Sequence, residues 1–330
     1  GQQRHNRRFR GLVVSRASNF WAMCADAWKP LDERFAAVLD GRMSKPPRTI
    51  TVPVEKRPIV PDVPEPITAL RVHGGGIEVP LLGKQAGFSV GSSPRCDVPL
   101  ASAFVSSLHA MLERRGQRIR VHDQTSHNGT FFAGRRETVF DIGPADTFEV
   151  ADVKLLALGE EMRLARPVFA EVLGYDVEEV VDDLLVAAVK GGHLLVVGDK
   201  GCGQAKLVRA IHQVSLRRGQ PLVEIATPPT TPEDLAQTIS NASRGTLCLA
   251  VTGKPLAEEL LGALQSAPAN LRLVALAGST DDGVKAAGLD LASRMHRVMI
   301  RPLRERSGDL PMLLDRLFVE ARASLRTSDL

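Results

Sequence analysis

The residues that could do chemistry are concentrated in one glycine-rich segment, Gly198–Lys206. An apolar run typical of a buried strand precedes this segment, and a run with helical spacing follows it. Strand, glycine-rich turn and helix form the layout of a nucleotide phosphate loop, whose backbone N–H groups hold phosphates. Gly198 and Gly203 have the required spacing, but Gln204 stands at the lysine position and Ala205 at the hydroxyl position. The sequence therefore predicts the backbone of a phosphate site without the side chains for hydrolysis.

The composition favours a cytoplasmic protein. The chain has 330 residues, a net charge of +4 and 44% hydrophobic residues, which suits two globular domains. No run approaches the roughly 18 apolar residues that a membrane helix needs. The apolar stretch after the basic N-terminus is too short for a signal peptide. The four cysteines are widely spaced, so we expect neither a disulfide nor a metal site.

The chain divides into three regions with different residue patterns. Residues 1–66 contain an Arg-rich tail, a short helix with both tryptophans and, over 44–66, a proline-rich segment predicted to be an extended linker. The tryptophan helix could pack on the chain's own domains or on a partner. Residues 67–158 alternate apolar and polar residues between turns, which predicts a β-sandwich. Residues 159–330 alternate strand and helix patterns, which predicts an α/β domain with a parallel sheet, including a helix capped by Asp176 and ending at Gly191.

The β region resembles the forkhead-associated (FHA) family. The resemblance rests on three motifs in order: Phe88–Gly91, Ser106–His109 and Ser126–Thr130. It implies a sandwich that binds phosphothreonine peptides with the loops at one end. A dianionic phosphate needs several donors that converge on its oxygens. The resemblance implies that Ser106, its neighbour Ser107 and His127 donate to the phosphate. It implies that Asn128 binds the backbone of the peptide and that His109 braces the Ser106 loop.

One position departs from the FHA pattern. The residue after Gly91 is usually an arginine in members that bind phosphate strongly, and here it is Ser92. A hydroxyl cannot reproduce the forked, charged contact of a guanidinium. Arg95 lies three residues further on and is the candidate substitute. We therefore expect altered or weakened phosphopeptide binding.

The second half resembles the AAA+ central domain of NtrC-type, sigma-54-dependent transcription activators. The resemblance covers about 161–320 and includes the phosphate loop, the strand after Gly245 and the segments Arg301–Arg306 and Asp309–Pro311. It implies that the strand should end in two acids that hold magnesium and activate water. Ala250 and Val251 stand there instead.

The other expected functional parts of an AAA+ motor are also missing. The positions of the sensing asparagine and of the trans-acting arginine align near Gly278 and Gly288, although Arg294 is present at the second arginine position. The segment between Ile225 and Gly245 is too short for the sigma-factor loop, and we expect the chain to lack that loop, most of the helical lid and a helix-turn-helix. In the loop itself, Lys200 is a candidate replacement for the lysine. The predicted remnant of the nucleotide site consists of Gly198, Lys200, Gly201, Gly203, Gln204 and Ala205.

The sequence thus predicts a multidomain protein: an all-β FHA-like sandwich followed by a degenerate AAA+ domain. The hypothesis is a signalling adaptor that binds a phosphothreonine-containing protein and uses an inactive AAA+-like domain for docking, with an active activator of the same family as one partner. We expect no enzymatic activity, no cofactor beyond weak ATP binding, no membrane association and no direct DNA binding. Two alternatives stay open: a divergent ATP-dependent sigma-54 activator, and a structural scaffold in which both sites are dead.

Overall fold

A computed structural model describes residues 49–52, 65–81, 86–225, 231–251, 253–266 and 271–327. One compact unit, Thr49–Ser307, contains both sheet-rich regions. The helix Leu310–Thr327 belongs to a second compact unit. The predicted basic tail and the tryptophan helix lie outside the described residues.

A β-sandwich follows the first described strand, β1 (Thr49–Val52). One sheet has the strand order β3-β2-β12-β11-β8-β9 and the other has the order β10-β7-β6-β4-β5. Neighbouring strands are antiparallel except for β4 and β5. The strands are β2 (Ile67–Val72), β3 (Glu78–Pro80), β4 (Gly87–Gly91), β5 (Val98–Pro99), β6 (Ala110–Arg115), β7 (Arg118–Asp123), β8 (Thr130–Phe132), β9 (Arg135–Arg136), β10 (Val139–Ile142), β11 (Thr147–Val150) and β12 (Val153–Gly159).

The core of the sandwich consists of the alternate residues that face inward from both sheets. Phe148 and Val150 on β11, with Leu112 on β6, are no more than 1% exposed. Full burial of each such side chain contributes about 1.5–3 kcal/mol. This core holds the strand ends in place, and the connecting loops are fixed relative to one another as a result.

The α/β region begins directly after β12, without a linker. Its sheet has the order β1-β14-β15-β16-β13-β17 and is parallel apart from β1, which pairs antiparallel with β14. The elements are α1 (Glu160–Leu173), α2 (Glu178–Lys190), β13 (Leu194–Val197), α3 (Gln204–Val214), β14 (Leu222–Ile225), α4 (Pro232–Asn241), β15 (Thr246–Val251), α5 (Glu258–Ser266), β16 (Arg272–Ala277), α6 (Thr280–Arg294) and β17 (His296–Met299); α7 (Leu310–Thr327) is the helix of the second unit.

The predicted fold class is confirmed: a β-sandwich is followed by an α/β region with a parallel sheet. All four residues of β13 are buried, as an apolar strand inside a parallel sheet should be. Its neighbours are β16 and β17, whereas the next strand in the chain, β14, lies further along the sheet. The carboxyl end of β13 is therefore a topological switch point, where ligands of open α/β sheets bind. None of the described helices has the length and hydropathy to cross a membrane.

Two local predictions were wrong. The predicted linker over 44–66 contains strand β1, because Thr49–Val52 is a β-branched run free of proline and suits the edge of a sheet. Asp176 does not cap α2, whose N-cap is Val177 without a side-chain hydrogen bond. Asp176 instead forms an ion pair with Arg301, which pulls its pKa below the usual range. The predicted end of α2 at Gly191, in the left-handed conformation, is observed.

A buried ionic network joins the sandwich to the α/β region. The fully buried carboxylate of Asp182 on α2 accepts from Arg71 Nε on β2 at 3.1 Å and from Arg166 Nε on α1 at 2.9 Å. It also accepts from the backbone N–H of Gly74 at 3.0 Å, and Glu178 pairs with both arginines. Paired and hydrogen-bonded charges of this kind are costly to disrupt singly. The two regions are accordingly parts of one compact unit.

Candidate functional site

Three loops of the sandwich meet at one end and bring together the predicted phosphopeptide residues. The Ser92 N–H donates to the carbonyl of Ser106 at 3.0 Å, which joins the β4–β5 loop to the β5–β6 loop. The His127 N–H donates to Ser106 Oγ at 3.3 Å, which adds the β7–β8 loop. Ser106 is half-buried at the centre, whereas Ser92 and His127 are exposed. We call these three loops the recognition end.

Gly91 permits the close approach of the first two loops. A Cβ atom at this position would lie 2.2 Å from the Ser107 carbonyl oxygen and 3.0 Å from that of Ser106. Only a residue without a Cβ fits against backbone at that distance. The Ser93 N–H donates to the same Ser107 carbonyl at 3.2 Å.

His109 braces the Ser106 loop, as the sequence predicted. Its ring is fully buried, and Nδ1 accepts from the Ser106 N–H at 3.1 Å. Because Nδ1 is the acceptor, Nε2 carries the proton and donates to the Gly129 carbonyl at 3.1 Å. One imidazole thus ties the loop of Ser106 to the loop of Asn128.

A carboxylate at the base of the β7–β8 loop was not singled out as a functional support in the sequence. Asp123 accepts from the Ser126 N–H at 2.9 Å, from Ser126 Oγ at 2.5 Å and from Thr130 Oγ1 at 2.7 Å. Burial raises the pKa of Asp123, but these hydrogen bonds outweigh it and bring that pKa below its usual value. The spacing of Asp, Ser and Thr around a turn could have indicated this network.

The remaining predicted residues differ in how many hydrogen bonds their side chains form with the protein. Asn128 is half-buried and donates from Nδ2 to the Phe104 carbonyl at 2.7 Å, which leaves its Oδ1 and a second N–H for a ligand. Ser107 and Arg95 are exposed. Within the described part of the chain, the Arg95 guanidinium bonds to no protein group; its backbone N–H donates to Ser93 Oγ. Arg95 is therefore the nearest uncommitted cation in the loop of Ser92.

The phosphate loop after β13 has the backbone geometry that the glycines predicted. Gly201 and Gly203 have φ angles of 88° and 98°, in the left-handed region that favours glycine. Helix α3 begins immediately afterwards at Gln204. The Gln204 side chain turns back and donates from Nε2 to the carbonyl of Gly198 at 3.0 Å. The residue at the lysine position thus closes the loop on itself.

Two charged side chains around this loop form ion pairs with protein groups. Asp199 lies 3.0 Å from Arg304, and Lys206 lies 2.6 Å from Glu171 on α1. Lys200 is exposed at the tip of the loop. Ala205, on the first turn of α3, supplies no hydroxyl. The structure therefore brings Gly198, Gly201, Gly203 and Gln204 together, with ion pairs at Asp199 and Lys206 and with Lys200 exposed.

The strand that should carry the magnesium ligands ends in apolar side chains. Ala250 and Val251 are the last residues of β15, and Val251 is 5% exposed. In the part of the chain that the structure describes, no group of three His, Cys, Asp or Glu side chains is placed to hold a metal ion. A magnesium site of the phosphoryl-transfer type needs an oxygen ligand here.

Comparisons with known proteins agree with both halves of this description. Residues 88–150 match the family model of the FHA domain, and residues 174–254 match that of the sigma-54 interaction domain. The chain thus has a segment similar to the FHA domain followed by a segment similar to the sigma-54 interaction domain. The second match covers the phosphate loop, with Gln204 and Ala205, and β15, with Ala250 and Val251. No curated protein matches the chain in a sequence search.

Solved structures similar to this chain include FHA domains. EmbR of Mycobacterium tuberculosis, solved with a low-affinity phosphopeptide, is 23% identical, with a TM-score of 0.25 over 28% of this chain and 25% of that chain. The FHA domain of CT664 from Chlamydia trachomatis is 23% identical, with a TM-score of 0.26 over 27% of this chain and 94% of that chain. Slr1951 of Synechocystis is 25% identical, with a TM-score of 0.25 over 27% and 95%. This chain therefore spans about a quarter of the length of EmbR.

Proposed function

We propose that this chain binds phosphothreonine-containing proteins through the recognition end and docks other proteins through an α/β region that does not hydrolyse ATP. The observation that carries the proposal is the meeting of Ser92, Ser106, His127 and Asn128 on three cross-linked loops. Such preorganised donors suit a phosphate, which offers three strong acceptor oxygens. The FHA domain in which they lie is a phosphopeptide-binding class of domain.

The phosphate contact has an unusual composition in this proposal. Ser92 supplies a hydroxyl where a forked guanidinium would be stronger, so charge neutralisation falls to Arg95. Ser106, Ser107 and His127 supply further polar contacts, and Asn128 holds the peptide backbone. Hydrogen bonds to charged groups contribute about 1.5–3 kcal/mol each. A few such contacts without a fixed arginine support binding of moderate strength.

The α/β region is proposed to be a pseudo-ATPase. Hydrolysis requires positive charge on the β- and γ-phosphates, a magnesium ion and a positioned water. Gln204 is neutral and is bonded to Gly198, Ala205 has no hydroxyl, and Ala250 and Val251 have no carboxylate. Backbone N–H groups at the start of α3 leave room for weak ATP binding only. No cofactor is required for the proposed role.

The retained fold of the sigma-54 interaction domain supports a docking role in transcriptional regulation. An active AAA+ activator of the same family is the partner that we propose for it, in the cytoplasm and without direct contact to DNA or membrane. The buried network around Asp182 holds the FHA domain and the α/β region in one unit. A phosphoprotein bound at one region would thereby be brought to the partner of the other.

The test is a phosphothreonine peptide library screened against the whole chain, followed by the variants Ser106→Ala and Asn128→Ala. We expect a phosphorylation-dependent ligand whose affinity falls about 10- to 100-fold in each variant. Ser293→Ala, an exposed serine on α6, is the matched control and should leave the affinity unchanged. If no ligand in the library is sensitive to these changes, the proposed binding function is wrong and the structural scaffold is the better account. Magnesium-dependent turnover of ATP would support the alternative of an active sigma-54 activator.

A further inference from the structure

Two large apolar side chains are exposed on the loop that carries Ser106. Phe104 is 61% exposed and Leu108 is 45% exposed, and each lies two residues from Ser106. Val105, between Phe104 and Ser106, is 4% exposed and anchors the loop in the sandwich core. A single exposed apolar residue is ordinary on a protein surface. Two exposed apolar residues on either side of the central hydroxyl of the proposed binding site are unusual and indicate a contact with the ligand.

Both apolar residues are presented on a fixed backbone. The Phe104 carbonyl accepts from Asn128, and the Phe104 N–H donates to Ser102 Oγ at 3.1 Å. Ser102 in turn donates to Asp152 at 2.6 Å. On the other side, Leu108 lies between the Ser107 carbonyl, which Ser93 holds, and His109, whose N–H donates to the Val90 carbonyl at 2.8 Å. A contact surface that is already ordered loses little conformational entropy on binding.

We propose that Phe104 and Leu108 select phosphothreonine peptides with an apolar side chain within about three residues of the phosphothreonine. Phe104 and Leu108 are each two residues from Ser106, and two residues of extended chain span about 7 Å, so with the length of their side chains they can reach about three residues along an extended peptide bound at Ser106. This inference rests on the proposed phosphopeptide binding and defines the ligand class of the same site. A charged ligand residue at those positions would form no ion pair with Phe104 or Leu108 and would bury little of their apolar surface.

The experiment compares phosphothreonine peptides that differ only at the three positions on either side of the phosphothreonine, with Leu, Ser, Glu or Lys at each. Binding to the whole chain is measured by fluorescence anisotropy. We expect one position at which Leu binds about tenfold more tightly than the other three residues. Phe104→Ala or Leu108→Ala should remove that preference, with about a tenfold loss for the Leu peptide and little change for the Ser peptide.

Controls separate this inference from the proposal on which it rests. Leu216→Ala removes a leucine of the α/β region that is 59% exposed, against 45% for Leu108, and should leave the preference intact. Phosphorylation-dependent binding that is indifferent to the flanking residues, or a preference that survives Phe104→Ala and Leu108→Ala, overturns the inference alone. Absence of binding to every phosphopeptide overturns both the inference and the proposed function.

Discussion

The recognition end of the FHA domain and the phosphate loop of the α/β region both depend on glycines, yet they use their polar side chains differently. At the recognition end, within the described residues, the side chains of Ser92, Ser107 and His127 bond to no protein group and face solvent. In the phosphate loop, Gln204 donates to Gly198, and Asp199 pairs with Arg304. The recognition loops leave these three side chains for a ligand, whereas in the phosphate loop Gln204 and Asp199 bond to protein groups and, among the described residues, the exposed side chain of Lys200 does not.

This difference is the basis on which we propose a binding site in one region and an inactive one in the other. Buried supports such as His109 and Asp123 hold the recognition loops from below, so the outward groups stay uncommitted. A loop whose side chains satisfy one another needs no ligand to be stable. Four predictions, from the largest expected effect to the smallest, test this contrast.

Gly91→Ala should have the largest effect. The new Cβ would meet the Ser107 carbonyl at 2.2 Å, so the two loops must separate. We expect a loss of about 3 kcal/mol in the free energy of unfolding and a decrease in phosphopeptide affinity on the order of 100-fold. Urea denaturation and peptide titration measure both. Gly76→Ala, where a Cβ meets nothing within 4 Å, is the control; equal effects of the two changes would contradict the account.

Acid should destabilise the α/β region through His212. Burial lowers the pKa of this histidine from 6.5 to about 4, and its ring bonds to Thr246 and to the Gln220 carbonyl. Because the folded-state pKa is depressed, stability present above pH 6.5 is lost as the pH falls toward 4. The loss should reach roughly 2–4 kcal/mol. His212→Gln should flatten this dependence in denaturation curves at pH 5 and 7, and an unchanged slope would remove His212 as the cause.

Phosphopeptide affinity should rise with pH for a reason that lies in the ligand. The second pKa of phosphothreonine is about 6, so the dianion that the proposed phosphopeptide site should favour forms between pH 5 and 7. We expect an increase of about tenfold over that range. Titration of the peptide against the chain, with circular dichroism as a check on folding, measures it. Constant affinity in a folded sample would show that phosphate charge contributes little.

Gln204→Lys should have the smallest effect. It restores the lysine of the phosphate loop, but Ala205, Ala250 and Val251 still supply no magnesium ligand. Hydrolysis of ATP should therefore remain at background, within about twofold of the unmodified chain. A coupled ATPase assay with magnesium measures it. Turnover that appears in this variant would show that the loop is nearer to a working site than its hydrogen bonds indicate.

Much of the fold followed from the sequence because its patterns are local. The alternating residues of β7 and β11 and the apolar run of β13 specify their strands directly. Strand β1 was missed because its four residues stand among prolines and gain their hydrogen bonds only from β14. Asp176 was misassigned because an ion pair with Arg301, distant in sequence, takes the place of a cap.

The site was predictable in its residue types but not in its connections. Ser106 and Asn128 stand in recognisable motifs, and their geometry relative to each other depends on His109. That Gln204 would bond to Gly198 could not be foreseen, since an amide at the lysine position specifies no direction. The exposure of Phe104 also depends on tertiary structure, because Val105 next to it is the residue that enters the core.

The contrast between the two loops is tested most directly by calorimetric titration of the same protein sample with two ligands. One titrant is a library-selected phosphothreonine peptide, with its unphosphorylated form as the control, and the other is ATP with magnesium. The account predicts phosphorylation-dependent heat that Ser106→Ala removes, and weak or no heat from ATP. Tight magnesium-dependent binding of ATP together with indifference to the phosphopeptide would contradict it.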